Sequence, residues 1–563
     1  MSDALAGLFD RLSPGNIEPR DGVVHRFGGA ALGIFNPSPA MRTSGTSVCL
    51  GEVQEDCTDW HRPGAPEPVG TYAIFRAHDG GCECLTDMMG TRTVWYVARD
   101  DLFAAATSQR LLAMVLGDVE PNEPVISWMI ATGSLGHGNG WDRRVKPLPA
   151  AHRLRFDAAD WSVTLSPSAT PAAPAEEDAR STEAFHDLLT TTVAAYELDP
   201  RRWVLPLSGG VDSRGLLFGF ASTQGLRTVT WGESHLRHQK GTDGQIAAEV
   251  ARRVGVANEF LEIAATSEPA ETVLDRFARC SEGTADHIAG YVDGFAVWKT
   301  LFENQIGGVI RGDEAFGWVD DLASEERPRR SVGLHLPADY QNLGEIRTQI
   351  PPIEPPQIFE RRSGETLPAF RDRLYREFRV PVILSALNKM KTPFVEVFNP
   401  WLSQPIMAFV PAMPDALRTD KKAFRDFVAR DCADIPFAYS AAMNASEDFL
   451  VTGETADFMR TYLGDGGQSA ILPAGVTNAV LDQLKKTQEK PNSSRWLRRQ
   501  ARRVVERWLP DSVMFRIKRG VQSRLPAEKL AFRAYLIEHS IRLLNEDAAA
   551  GRAAVSGMST ENI

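Results

Sequence analysis

Cysteine is scarce in this chain of 563 residues. Its six cysteines, Cys49, Cys57, Cys82, Cys84, Cys280 and Cys432, are scattered. One residue separates Cys82 from Cys84, whereas zinc-binding pairs have two or more between them. Reduced thiols in the cytoplasm are the reading. No apolar run approaches the roughly 18 residues of a membrane span. Met1-Ser2-Asp3-Ala4 lacks the basic start of a secretion signal. A cytoplasmic protein without stable membrane insertion is therefore expected. Basic charge is also wanting: the net charge of −11 argues against a general nucleic-acid binder. What remains, 43% apolar and 24% charged, is ordinary for a globular protein. The chain is too long for one core, so two or three domains are expected.

One stretch organises the chain: Trp203-Val204-Leu205-Pro206-Leu207-Ser208-Gly209-Gly210-Val211-Asp212-Ser213-Arg214. It reads as a buried strand, a tight glycine turn and a helix opening near Asp212. Gly209 and Gly210 let the backbone approach an anion, and Ser208 and Ser213 add hydroxyl groups. The unpaired N–H groups of the new helix point into the turn, forming a nest for phosphate oxygens. An aspartate in such a nest repels phosphate unless a divalent cation lies between them. The Gly-Lys-Ser/Thr ending of the common P-loop is missing. A plain strand-to-helix turn is the competing reading.

Around this stretch the chain divides in two. Before it, short alternating segments at 23–27, 30–34, 47–50, 72–76, 82–87, 94–97 and 102–106 predict antiparallel strands, and 108–116 and 124–132 predict helices. A proline- and alanine-rich run at 167–177 reads as a linker. After it, a helix at 182–196, strands at 204–207 and 226–231, a helix at 243–254 and a strand at 258–263 alternate. That pace predicts a parallel sheet with crossover helices. Ligands bind beyond the carboxyl ends of such strands, where Ser208 to Ser213 and Trp231-Gly232 would lie. Gly308-Val309-Ile310-Arg311-Gly312-Asp313-Glu314 repeats the pattern of an apolar strand ending in a glycine turn with acids.

The Ser-Gly-Gly-x-Asp-Ser string resembles the pyrophosphate loop of the ATP pyrophosphatase group, which cleaves ATP between the α and β phosphates. Gly70-Thr71-Tyr72-Ala73-Ile74-Phe75, Thr86-Asp87-Met88-Met89-Gly90-Thr91-Arg92 and Val145-Lys146-Pro147-Leu148-Pro149-Ala150-Ala151-His152 resemble the N-terminal domain of the glutamine-dependent asparagine synthetase family. The segment from Gly308 to Trp318 resembles that family's Ser-Gly-Glu-Gly-Ser-Asp-Glu-x-Phe-Gly-Gly-Tyr motif. The resemblance covers nearly the whole chain. It implies an α+β glutaminase-like sandwich (Ntn-type) over 1–165 and a linker at 166–180. A Rossmann-like α/β parallel-sheet synthetase domain of ATP pyrophosphatase type follows over 181–545. Residues 546–563 read as a flexible tail.

The cofactors implied are ATP and Mg2+, the metal shared by Asp212 and Asp313. Ser208, Gly209, Gly210, Asp212, Ser213 and Gly312 would surround the nucleotide, with Gly232 beside the adenine. Asp420-Lys421-Lys422-Ala423-Phe424-Arg425 resembles the family's lysine-bearing helix start, which makes Lys421 the catalytic cation and Lys422 the fallback. Arg311, the second catalytic candidate, stands where the family has glycine, adding a cation able to face a carboxylate or phosphate. The family's glutamate, a tyrosine in β-lactam-forming relatives, falls on Ile310, and an arginine falls on Phe398. Ser2 stands in place of the nucleophilic cysteine, which implies a glutaminase fold without its chemistry. A serine using its own amine as base is the alternative.

These features imply an amide synthetase taking its amine from a source other than glutamine. It is closest to the lasso peptide macrolactam cyclases, with a precursor peptide as substrate and a leader-binding protein and leader peptidase as possible partners. A β-lactam or other small-molecule amide synthetase, an ammonia-using asparagine synthetase, and a non-catalytic scaffold are the alternatives. The basic stretch from Arg495 to Arg519 reads as a solvated helix face or a docking surface for an acidic peptide.

Overall fold

A computed structural model describes residues 6–27, 30–220, 222–264, 266–313, 324–442, 449–464, 471–488 and 523–561. Ser2, the segment from Glu314 to Trp318 and the basic stretch 495–519 lie outside these residues.

The first part of the chain is built from short strands and two helices. They are β1 (Val23–Phe27), β2 (Ala30–Ile34), β3 (Arg42–Ser44), β4 (Ser47–Val53), β5 (Gly70–His78), β6 (Gly81–Thr86), β7 (Trp95–Ala98), β8 (Phe103–Ala106), α1 (Gln109–Leu116), α2 (Pro124–Thr132), β9 (Lys146–Pro147), β10 (His152–Asp157) and β11 (Ser162–Pro167). β1 and β2 form a hairpin. The order β11-β10-β6-β5-β4-β3 makes an antiparallel sheet of six strands, and β8-β7-β9 one of three. Ser108 caps α1 by accepting a hydrogen bond from the Leu111 amide, and Gly117 ends it in the left-handed region at φ 77°. The expected linker is shorter than its composition suggested. β11 runs into it, and the short helix Glu176–Ala179 lies within it.

The second part carries a parallel sheet. Its elements are α3 (Thr182–Ala194), β12 (Trp203–Pro206), α4 (Val211–Gly219), β13 (Arg227–Gly232), α5 (Asp243–Val254), β14 (Ala257–Glu262), α6 (Ala270–Ser281), α7 (Ala296–Glu303), β15 (Gly308–Ile310) and β16 (Glu396–Phe398). Strand order is β14-β13-β12-β15-β16, all parallel, with Trp203 opposite Gly308 and Val204 opposite Val309. The central strands are buried and continuously apolar, as parallel strands between covering layers are. From β12 the chain winds outward through β13 and β14, then returns to the other side at β15. The crevice beyond β12 and β15 is thus the place where strand order reverses. Between β15 and β16 a helical run passes from Leu367–Leu374 into a π-helical stretch, Tyr375–Leu384, which includes Pro381. Beyond β16 come α8 (Lys422–Cys432), α9 (Gly453–Gly464), α10 (Ala474–Gln488) and α11 (Ala527–Glu561).

The expected tail from residue 546 is instead part of α11. Asp547 is fully buried against Arg110 of α1, with Nε to Oδ2 at 2.7 Å, and it also pairs with Arg11. At Gly551 a Cβ would meet the Met114 carbonyl at 2.0 Å, so only glycine lets the two helices touch there. The largest apolar core draws on both parts of the chain. Trp95 and Ile126 share it with Phe277, Val309 and Tyr535. No helix among the described residues is long and apolar enough to cross a membrane.

Candidate active site

The turn after β12 closes on its own hydroxyls. The Ser208 amide donates to Ser213 Oγ at 3.0 Å, the two hydroxyl oxygens are 3.0 Å apart, and the Gly210 amide donates to Ser208 Oγ at 3.2 Å. Gly209 has no room for a side chain, since a Cβ would lie 2.4 Å from that of Ala438. Its amide donates to the carboxylate of Asp243, at the start of α5, at 2.9 Å. Gly210 is the N-cap of α4 and brings no capping side chain. The first-turn amides of α4 therefore face the crevice for a partner outside the helix.

Asp212 lies in that first turn, and Lys421 reaches it. The Lys421 ammonium donates to both carboxylate oxygens, at 2.9 and 3.0 Å. Burial raises the Asp212 pKa; Lys421 opposes the shift and the nearby charge of Asp313 adds to it. Lys421 is buried at the N-cap of α8, with φ at 56°, and Asp420 before it has φ at 50°. Two successive left-handed residues with side chains cost on the order of 1–2 kcal/mol each. Such strain persists only where its surroundings impose it. Lys422, by contrast, is exposed and paired with Asp426.

Asp313 follows β15. Arg311 holds it through Nε at 3.4 Å and Nη2 at 3.3 Å, and the Asn399 amide donates to it at 2.5 Å. Burial works against its charge, but Arg311, Lys391 and Asn399 together keep its pKa below the ordinary value. The Asn399 oxygen accepts from Asn388, whose amide also donates to the Thr91 carbonyl. A chain of hydrogen bonds thus runs from the first part of the protein to Asp313. Gly312 brings the two acidic turns together: a Cβ there would lie 2.8 Å from the Asp212 carbonyl oxygen.

Not every expected residue joins this cluster. Gly232, at the end of β13, packs against Ala442, which would lie 2.5 Å from a Cβ there. Ile310 and Phe398 are core residues. Three residues that sequence reasoning passed over do belong: Asn399, Asp243 and Lys391. Lys391 is buried, hydrogen-bonded to the Leu387 carbonyl, with its ammonium 5.7 Å from the Trp298 ring centroid. Burial pulls its pKa down to about 7, with Arg311 pushing the same way and Asp313 opposing. The only sequence signal was a lysine close before the apolar β16.

No protein-family model matches the chain, and no curated protein matches it.

Proposed function

We propose that the protein is an ATP-dependent carbon–nitrogen ligase of the asparagine synthetase-like kind, forming AMP and pyrophosphate. Within that group we propose a macrolactam cyclase acting on a lasso-type precursor peptide. The observation that carries this reading is the meeting of two acidic turns at Gly312, beyond the ends of β12 and β15, with Lys421 within reach of one of them. A Rossmann-like sheet of ATP pyrophosphatase type puts its nucleotide at that point of strand-order reversal.

Magnesium takes hard oxygen donors, which Asp212 and Asp313 supply. The charge of Asp313 also helps to raise the Asp212 pKa, a cost that a shared cation would relieve. The two residues fit the ion. Among the described residues no cluster of three or more acidic, histidine or cysteine ligands exists, so phosphate oxygens and water would complete the coordination. The ion would neutralise phosphate charge.

In the first step a substrate carboxylate oxygen bonds to the α-phosphorus, and the bond to the bridging oxygen of the β-phosphate breaks. Pyrophosphate leaves with the electron pair. The α4 amides and Lys421 face this developing charge. In the second step an amine attacks the acyl carbon, the acyl C–O bond breaks so that AMP departs with the electron pair, and the amine's proton passes to water. Arg311 and Asn399 orient Asp313 throughout.

Nucleotide binding tests the site before any substrate is known. By calorimetry, α,β-methylene-ATP should bind only with magnesium, and both Asp212→Asn and Asp313→Asn should abolish most of that binding while leaving the protein folded. With a cognate peptide the products should be AMP and pyrophosphate. Release of ADP and phosphate, or undiminished nucleotide binding by both variants, would overturn the proposal.

A further inference from the structure

A cavity of about 1250 Å³ lies between the six-stranded sheet, the three-stranded sheet and the π-helical stretch. It exceeds the roughly 300–1,000 Å³ of most small-molecule sites. Phe75, Phe103, Leu111 and Val382 are among the side chains that give it apolar walls. None of the residues described above as the active site lines it.

One charged group stands out in this lining. Arg376, on the π-helical stretch, makes no hydrogen bond or ion pair among the described residues. Four other lining cations are matched: Arg92 by Glu396, Arg110 by Asp547, Arg279 by Asp275 and Lys389 by Glu282. The acids next to Arg376 in sequence are committed elsewhere. Asp372 pairs with Arg371 and Arg418, and Glu377 with Arg373 and Arg362. Burial works against the charge of Arg376; Asp372 and Glu377 offset this in part without bonding to it, and an arriving anion would relieve the rest. π-Helical turns are rare and concentrate at functional sites, because they displace side chains from the regular helical row. This one delivers Arg376, Pro381 and Val382 to the same cavity.

We propose that this cavity binds an amphipathic carboxylate, its apolar body against β8 and α1 and its carboxylate on Arg376. A planar guanidinium matches a carboxylate in shape and in single charge, whereas a phosphate would bring a second charge with no partner. The proposal is independent of the ligase reading.

The test is calorimetric titration of the full chain with decanoate, kept below its micelle concentration, alongside 1-decanol and decyl phosphate. Decanoate should bind saturably, and more tightly than either comparison molecule. Arg376→Met should weaken decanoate about tenfold or more, the value of a charged hydrogen bond, and leave decanol unchanged. Arg376→Lys should recover part of the loss. Ala105→Trp, which fills the cavity, should weaken both ligands. Circular dichroism verifies the fold of each variant. If Arg376→Met does not fold, Arg376→Lys must still bind and Ala105→Trp must not. Failure of decanoate to saturate, decyl phosphate binding as tightly, an unaffected Arg376→Met or an unaffected Ala105→Trp would each overturn the proposal.

Discussion

Lys421 and Lys422 are neighbours in sequence with different fates. The left-handed backbone at Asp420 and Lys421 turns one ammonium inward onto Asp212 and leaves the other in solvent beside Asp426. A cation that steadies transition-state charge is worth about two to three powers of ten in rate. Lys421→Met should therefore lower kcat by that factor while nucleotide still binds, and Lys422→Met should be mild. Steady-state kinetics on the pair checks this; the reverse outcome would shift the assignment by one residue. His335 supplies a pH effect. Its Nδ1 is buried and finds no hydrogen-bond partner among the described residues, and burial lowers its pKa to about 4. The unfolded chain takes up the proton near pH 6.5, the native protein only near 4. Stability from this group is thus complete above about pH 6.5 and is lost as pH falls towards 4. Urea titrations should show a shallower decline over that window in His335→Asn than in the parent; parallel curves would refute it. The motif aspartates were legible because strand-end turns of glycine, serine and acid form patterns, whereas Lys421, one of two lysines at a helix start, stood out only through the family resemblance. Asn399, Asn388 and Lys391 were not, since a lone amide or amine far along the chain carries no periodic signal.

At the scale of elements, most strands of the first part and the helices α1, α2, α3 and α5 were legible, because a two-residue or 3.6-residue period survives in the sequence. Strands β10 and β11, and the short β3, β9 and β16, were not. Nor was α11. Its middle is buried all round, Arg533, Glu538 and His539 included, and its end is rich in alanine, so no apolar stripe marks it as a helix lying on a core. The π-helical stretch was equally hidden, since nothing local announces a proline held inside a helix. The pairing of Asp547 with Arg110 offers the sharpest check on α11. Asp547→Ala leaves a buried guanidinium without its charge partner and should cost about 3–5 kcal/mol. Replacing both, as Asp547→Leu with Arg110→Met, should cost far less. Urea unfolding of the three proteins measures this, and equal losses in the single and double variants would refute the ion pair's role.

For the molecule as a whole, division into an antiparallel part and a parallel-sheet part was legible from composition and rhythm. Their merging was not. Composition marks a boundary near residue 167, yet Trp95, Phe277 and Tyr535 belong to one core. Contacts between such distant residues leave no trace in any short window of sequence. α11 closes that core, and it is made after every strand. During synthesis, then, the apolar faces of the earlier helices emerge from the ribosome with nothing to cover them until Ala548 has followed. A nascent chain in that state is sticky. Its yield in a cell should depend on how well chaperones shield the waiting surface, and on how quickly translation delivers the last helix.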